Sequence, residues 1–139
     1  MLFRSPEAIA ASEAVKVFIC NLMTEANESL DMTAADHIQA IYRHARHNIF
    51  DYALVNSTPV SPQMLEKYSQ EGAEQVEISA PAIKALKVKC IAGDFLEERD
   101  FVRHATGRLC KELLRLAEFA GSPPTQITRT TGKMMVHAR

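Results

Sequence analysis

Asn21 and Thr24 follow the apolar run 15–20, Asn56 closes the run 50–56, and Asp94 closes the run 88–94. Short polar side chains at the ends of hydrophobic segments suit a polyol, a phosphate or a nucleotide. In parallel α/β sheets the loops after strand C-termini are where ligands bind. The same residue types also end strands for turn reasons alone, because Asn, Asp and Gly satisfy local backbone groups. Both readings stand at this level. Arg103 and His104 come just ahead of a helical pattern that opens near Thr106. A guanidinium beside the free N–H groups of a helix start favours a phosphate, and a solvated loop is the plainer alternative.

Other chemistry-bearing residues lead nowhere. His37, His44 and His47 share one expected helix, but no Cys or carboxylate joins them at a recognised ligand spacing, so no metal site is expected. Ser57 and Ser61 lack a nucleophile elbow and a partnered His, and no nucleophilic catalysis is expected from them. Cys20, Cys90 and Cys110 form no C-x-x-C pair and are odd in number, as buried thiols of a reducing compartment would be.

The elements that must position these residues can be read from periodicity. Residues 15–20 are dominated by β-branched and aromatic side chains on both faces, the pattern of a covered parallel strand. Ile38, Ile41, Tyr42 and Ala45 recur at helical spacing over 33–47, and Thr33 with Asp36 makes a capping box. A strand is expected over 50–56, then a short helix with Ser61 as N-cap, Pro62 at its first position, Leu65 and Tyr68 one turn apart, and Gly72 as terminator. Residues 76–78 read as a third strand, 81–86 as a short helix and 88–94 as a fourth strand. From Thr106 onward Leu109, Leu113, Leu116 and Ala120 line one face of a closing helix, with Thr106 as its cap. Strands alternating with helices predict an α/β fold, three-layered, with a mostly parallel sheet covered by helices.

The chain has 139 residues and a net charge of −1, which fits one domain and gives no electrostatic footprint for nucleic acid. No apolar run reaches the ~18 residues of a membrane span, and Pro6, Glu7 and Glu13 interrupt any signal-peptide core. A cytoplasmic protein with no membrane insertion is expected; a homo-oligomer is left open. Residues 121–139 show no apolar period and read as a flexible tail.

"VFICNLMT", then "TAADHI", "FDYALVN", "LEKYSQEGAE" and "DFLEERDFVRH", in that order and spacing, closely resemble the C-terminal half of the YvcK/CofD-like superfamily, over about residues 6–119. That superfamily contains the gluconeogenesis factors, which bind UDP-N-acetylglucosamine, and the 2-phospho-L-lactate transferases of deazaflavin coenzyme biosynthesis. The "CN-[LV]-MT" strand end and the "Y-x-x-EGAE" helix resemble the gluconeogenesis-factor branch. The resemblance implies a Rossmann-like fold and a UDP-sugar-binding regulator of carbon metabolism and cell-wall morphogenesis, with a nucleotide sugar as ligand and no further cofactor. A phospholactyl transferase is the rival reading. The family pattern implies Asn21 and Thr24 at the ligand-facing strand end, Tyr68 near the nucleotide, and Arg103 with His104 at its phosphates, with Asn56 on the same rim. For Tyr68, plain packing against Leu65 suits the spacing equally well.

The departures from that pattern are specific. Family members carry Asp-Pro after "RH" where this chain has Ala105 and Thr106, and "EANES" lacks the Pro and Gly of their first loop. No glycine precedes Gly72, whereas the superfamily opens on a glycine-rich loop that cradles phosphates. Residues 2–5, "LFRS", match one translated frame of a common sequencing adapter. Residues 1–5 are accordingly expected to be non-native, 6–120 to be the C-terminal part of the family domain, and the natural gene to continue upstream.

Overall fold

Three short parallel strands in the order β1–β2–β3 carry the core: β1 Val17–Ile19, β2 Tyr52–Asn56 and β3 Lys89–Gly93. In register, Val17, Tyr52 and Lys89 lie abreast, as do Ile19, Leu54 and Ile91. The computed structural model describes residues 5–121. The expected non-native segment, save Ser5, and the expected tail beyond Gly121 lie outside the described residues.

Alternation along the strands builds two apolar faces. Phe18, Cys20, Ala53, Val55 and Cys90 point to one side, where α2 (Ala34–Ala45) and α4 (Ala80–Ala85) bury Ala34, Ile38, Tyr42 and Ile83 against them. Phe50 joins that layer, its ring centroid 5.4 Å from Phe18 and 5.7 Å from Tyr42. Val17, Ile19, Leu54 and Ile91 point to the other side, beneath Phe95 and the Leu109, Leu113 and Leu116 stripe of α5 (Thr106–Gly121). Helices on both faces of a parallel sheet make the expected three-layer α/β fold. No helix of the described residues is long and apolar enough to cross a membrane.

Local chemistry sets the helix ends. The Thr33 hydroxyl accepts from the Asp36 N–H while the Asp36 carboxylate accepts from the Thr33 N–H, closing the expected capping box of α2. Ser61 caps α3 (Pro62–Gln70), and Gly72 takes the left-handed φ of +72° that lets the chain turn away. Helix α2 stops at Ala45 because Arg46 adopts φ +57°, so His47 lies beyond the helix it was expected to share with His37 and His44. In α3 it is Met64 that joins the apolar packing, while Leu65 stays 37% exposed.

Three elements depart from expectation. Residues 76–78 are not a strand: Val76 N–H donates to the Leu22 carbonyl and Ala34 N–H to the Glu77 carbonyl, so this segment braces the loop after β1 and adds nothing to the sheet. Helix α1 (Ser5–Ala11) had no counterpart in the pattern and buries no residue. Between residues 94 and 106, where no element was expected, lies an antiparallel hairpin, β4 (Leu96–Glu98) with β5 (Val102–His104). Its inward residues Leu96 and Val102 pack with Leu22, Val60 and Met64 in a small separate cluster.

Candidate functional site

Beyond Ile19 the chain leaves the sheet and bends at Leu22. Asn21 is exposed, Leu22 turns inward, and Thr24 is buried at 5% exposure. Thr24 N–H donates to the Glu74 carbonyl at 2.7 Å, and its hydroxyl accepts from the Glu74 N–H at 2.9 Å. The hydroxyl proton is left to donate elsewhere. The loop that follows lacks glycine, and Asn27 (φ +68°) and Asp31 (φ +61°) supply its left-handed turns instead. Ser29 ties it, its hydroxyl accepting from Glu25 N–H at 2.8 Å.

The β4–β5 hairpin approaches the same place from above the sheet edge. His104 Nε2 lies 3.0 Å from the Cys20 carbonyl oxygen, and the Tyr68 hydroxyl of α3 accepts from Val102 N–H at 3.1 Å. These contacts bring Asn21, Thr24, Tyr68, Arg103 and His104, with Met23 and Glu25, around one cleft of about 280 Å³. Arg103 is its cation. Arg103 sits directly across the hairpin from Glu97, but Glu97 is taken by Arg99 at 2.8 Å. Among the described residues no hydrogen bond or ion pair engages the Arg103 guanidinium, so its donors face the cleft uncommitted. Glu25 is the acid on the rim and offsets part of that charge.

Not every expected residue comes to this cleft. Asn56 is 6% exposed and its amide is fully used: Nδ2 donates to the Thr58 carbonyl at 2.6 Å, and Oδ1 accepts from Thr58 N–H and Phe95 N–H. It clips the ends of β2 and β3 together and lines a separate hollow with Ser57, Gln75 and Ile78. Asp94 is likewise engaged, by the Thr58 hydroxyl at 2.8 Å and the Arg108 guanidinium at 3.5 Å. The start of α5 departs too. Thr106 is its first helical residue, Ala105 stands at the cap position without a side-chain oxygen, and the Thr106 hydroxyl points back to the His104 carbonyl. Gly107 and Arg108 line a different groove, along β3, so the helix start and Arg103 do not converge.

The cysteines are set apart from this chemistry. Burial, with Cys90 nearby, pushes the Cys20 thiol up to about 12, so it stays protonated at neutral pH. His37 is also structural, its Nδ1 lying 2.8 Å from the Thr33 carbonyl.

Sequence reasoning missed Met23, Glu25 and Val102 as neighbours of the cleft. The hairpin was the missing link, and alternation of Leu96 and Val102 inward against Glu97 and Arg103 outward is the signal that could have found it.

Comparison with known proteins agrees with the fold. The family model described as 2-phospho-L-lactate transferase CofD matches residues 3–96. A gluconeogenesis factor of Halalkalibacterium halodurans is 41% identical over 109 residues, covering 78% of this chain and 34% of that protein. The gluconeogenesis factor of Bacillus subtilis is 33% identical over 111 residues, covering 79% of this chain and 35% of that protein. A crystal structure of a UPF0052-family protein from Bacillus halodurans superposes with a TM-score of 0.76 at 40% identity, covering 78% of this chain and 35% of the other. The chain thus spans about a third of the length of these relatives.

Proposed function

The chain belongs to the 2-phospho-L-lactate transferase CofD family, alongside relatives called gluconeogenesis factors, and from that premise we propose that it forms part of a UDP-sugar-binding regulator. The ligand is UDP-N-acetylglucosamine or a close nucleotide sugar, and the role is control of carbon metabolism and cell-wall morphogenesis in the cytoplasm. One observation carries this reading: Arg103, without a partner of its own among the described residues, faces a cleft at the C-terminal end of a parallel strand. A guanidinium in that position suits a diphosphate, which it can meet with two parallel N–H donors. The Asn21 amide, the Thr24 hydroxyl and His104 add hydrogen-bonding partners for phosphate or sugar oxygens. At about 280 Å³ the cleft suits the diphosphate portion, and the base and sugar need further walls.

The name of the matched family favours a second reading, transfer of a phospholactyl group to a deazaflavin precursor. Calorimetry on the chain extended to the length of its relatives separates the two. Saturable heat with UDP-N-acetylglucosamine, and none with GDP or the deazaflavin precursor, is expected. Binding of the precursor alone would replace the regulator reading with the transferase.

A further inference from the structure

The cation of the cleft rides on a hairpin with three residues in each strand, and so small a ribbon is not rigid by itself. Helix α3 holds it at several points. The Ser61 N–H donates to the Glu98 carboxylate at 2.8 Å, which fixes β4, and the Tyr68 hydroxyl receives the Val102 N–H at 3.1 Å, which fixes β5. Between them Lys67 reaches the hairpin tip, where Nζ donates to the Asp100 carbonyl at 2.7 Å and lies 4.4 Å from the centre of the Phe101 ring. Phe101 is 63% exposed and belongs to no apolar cluster, so its ring serves as a platform for that ammonium.

We propose that Lys67 and Phe101 form a latch that fixes the placement of Arg103, making Lys67 a positioning residue for the anion cleft although it does not line it. The affinity part of this inference rests on the reading of that cleft as a phosphate site. The physical argument is one of distance along the chain. Asp100 and Phe101 are held by Lys67, Val102 by the adjacent Tyr68, and Arg103 is the next residue. Releasing the tip leaves β5 held by the Tyr68 to Val102 bond and the His104 to Cys20 contact, and frees its Phe101 end to swing about them. The guanidinium then samples positions away from the cleft, and an anion must order it again on binding.

The test measures hydrogen exchange across residues 96–104 as a function of inorganic pyrophosphate, on the chain as it stands. The variants are Lys67→Met, Lys67→Arg, Phe101→Ala, Arg103→Ala and the Lys67→Met/Arg103→Ala double. Lys67→Met and Phe101→Ala are expected to speed Val102 exchange and to weaken pyrophosphate binding about three- to tenfold, the range of one lost hydrogen bond. Lys67→Arg should retain both properties, because arginine can donate to the same carbonyl and stack on the same ring. In the Arg103→Ala background Lys67→Met should cost no further affinity. A loss that adds in full to that of Arg103→Ala would overturn the proposal, since Lys67 would then act on the anion by its own charge. Unchanged Val102 exchange in Lys67→Met would overturn it as well. If the unmodified chain takes up no pyrophosphate, the phosphate reading of the cleft falls, and the exchange rate alone decides the latch.

Discussion

His104 Nε2 lies 3.0 Å from the carbonyl oxygen of Cys20, joining the last residue of the hairpin to the residue that follows β1 across 84 positions of sequence. A carbonyl only accepts, so Nε2 must carry the hydrogen, and Nδ1 is the nitrogen left for other partners. The bond thus orients a ring on the cleft and closes the sheet end against the hairpin. His104→Ala should cost about 1 kcal/mol of stability through the orphaned carbonyl, read as a lower urea midpoint with an unchanged m-value. A variant as stable as the parent would show the contact to be incidental.

Arg103 carries the binding argument. In the chain extended to the length of its relatives, Arg103→Ala should weaken UDP-N-acetylglucosamine binding at least about tenfold. One charge-assisted contact to phosphate is worth about 1.5–3 kcal/mol, and ~1.4 kcal/mol is already that factor. Unchanged affinity by calorimetry would remove Arg103 from the site. Tyr68→Phe should show a smaller loss, because its hydroxyl already serves the Val102 N–H.

Asn56 should matter to the fold instead. Its amide serves two N–H groups and one carbonyl, those of Thr58 just after β2 and of Phe95 just after β3. Asn56→Asp keeps the shape but places an oxygen 2.6 Å from the Thr58 carbonyl, where Nδ2 had donated. A loss of at least about 2 kcal/mol is expected, since buried unsatisfied groups cost about 1–3 kcal/mol each. A variant of full stability that loses ligand would return Asn56 to the binding site.

The residues that were legible in the sequence are those whose partners are near in sequence. The Thr33–Asp36 box, the Ser61–Pro62 start and the Gly72 stop are local devices, so residue type and spacing specify them. Asn56 was not legible, because an Asn that clips a turn and an Asn that meets a ligand look alike until Phe95, 39 positions away, is placed beside it. The hairpin was hidden for a related reason. Its turn over Arg99, Asp100 and Phe101 has neither Gly nor Pro to mark it, and its strands hold only three residues each. Residues 76–78 failed the other way: a β-like pattern found its partners in a loop.

Asp36 predicts an acid-dependent term. Hydrogen bonds from the Thr33 side chain and backbone hold its carboxyl below the usual carboxylate range. A folded-state pKa below the unfolded one stabilises the native state above the unfolded value, ~3.9, and that stability is lost as pH falls through the folded value. Asp36→Asn should therefore flatten the stability profile below about pH 4 while lowering it at neutral pH. Parallel acid-denaturation curves for the two proteins would contradict this.

The thiols should separate by burial. Cys110 is exposed, whereas burial raises the pKa of both Cys20 and Cys90, that of Cys20 to about 12. At pH 8 an alkylating reagent should label Cys110 first, and Cys20 only after urea unfolds the chain. The sign of the linked stability is opposite to that of Asp36. A raised folded pKa leaves the contribution intact below the unfolded value of ~8.5 and removes it as pH climbs toward 12. Equal labelling rates for all three thiols in the native chain would show the β1 end to be open.

Strand β1 carries the last prediction, on association. Tyr52 N–H donates to the Lys16 carbonyl and Cys20 N–H to the Leu54 carbonyl, so even-numbered residues of this segment spend their backbone groups on β2. In a parallel pair alternate residues face opposite ways, which turns the N–H and C=O groups of Val17 and Ile19 toward the outer edge. Among the described residues no strand pairs with that edge, and the apolar Val17–Ile19 run is the kind of edge that recruits a second strand. The chain by itself should therefore self-associate as concentration rises, visible as growing scattering mass. Val17→Lys should shift it toward monomer, because a lysine can lay its stem along the apolar surface while its ammonium blocks edge pairing. A monodisperse monomer at all concentrations, unaltered by Val17→Lys, would show that the outer edge of β1 is already protected.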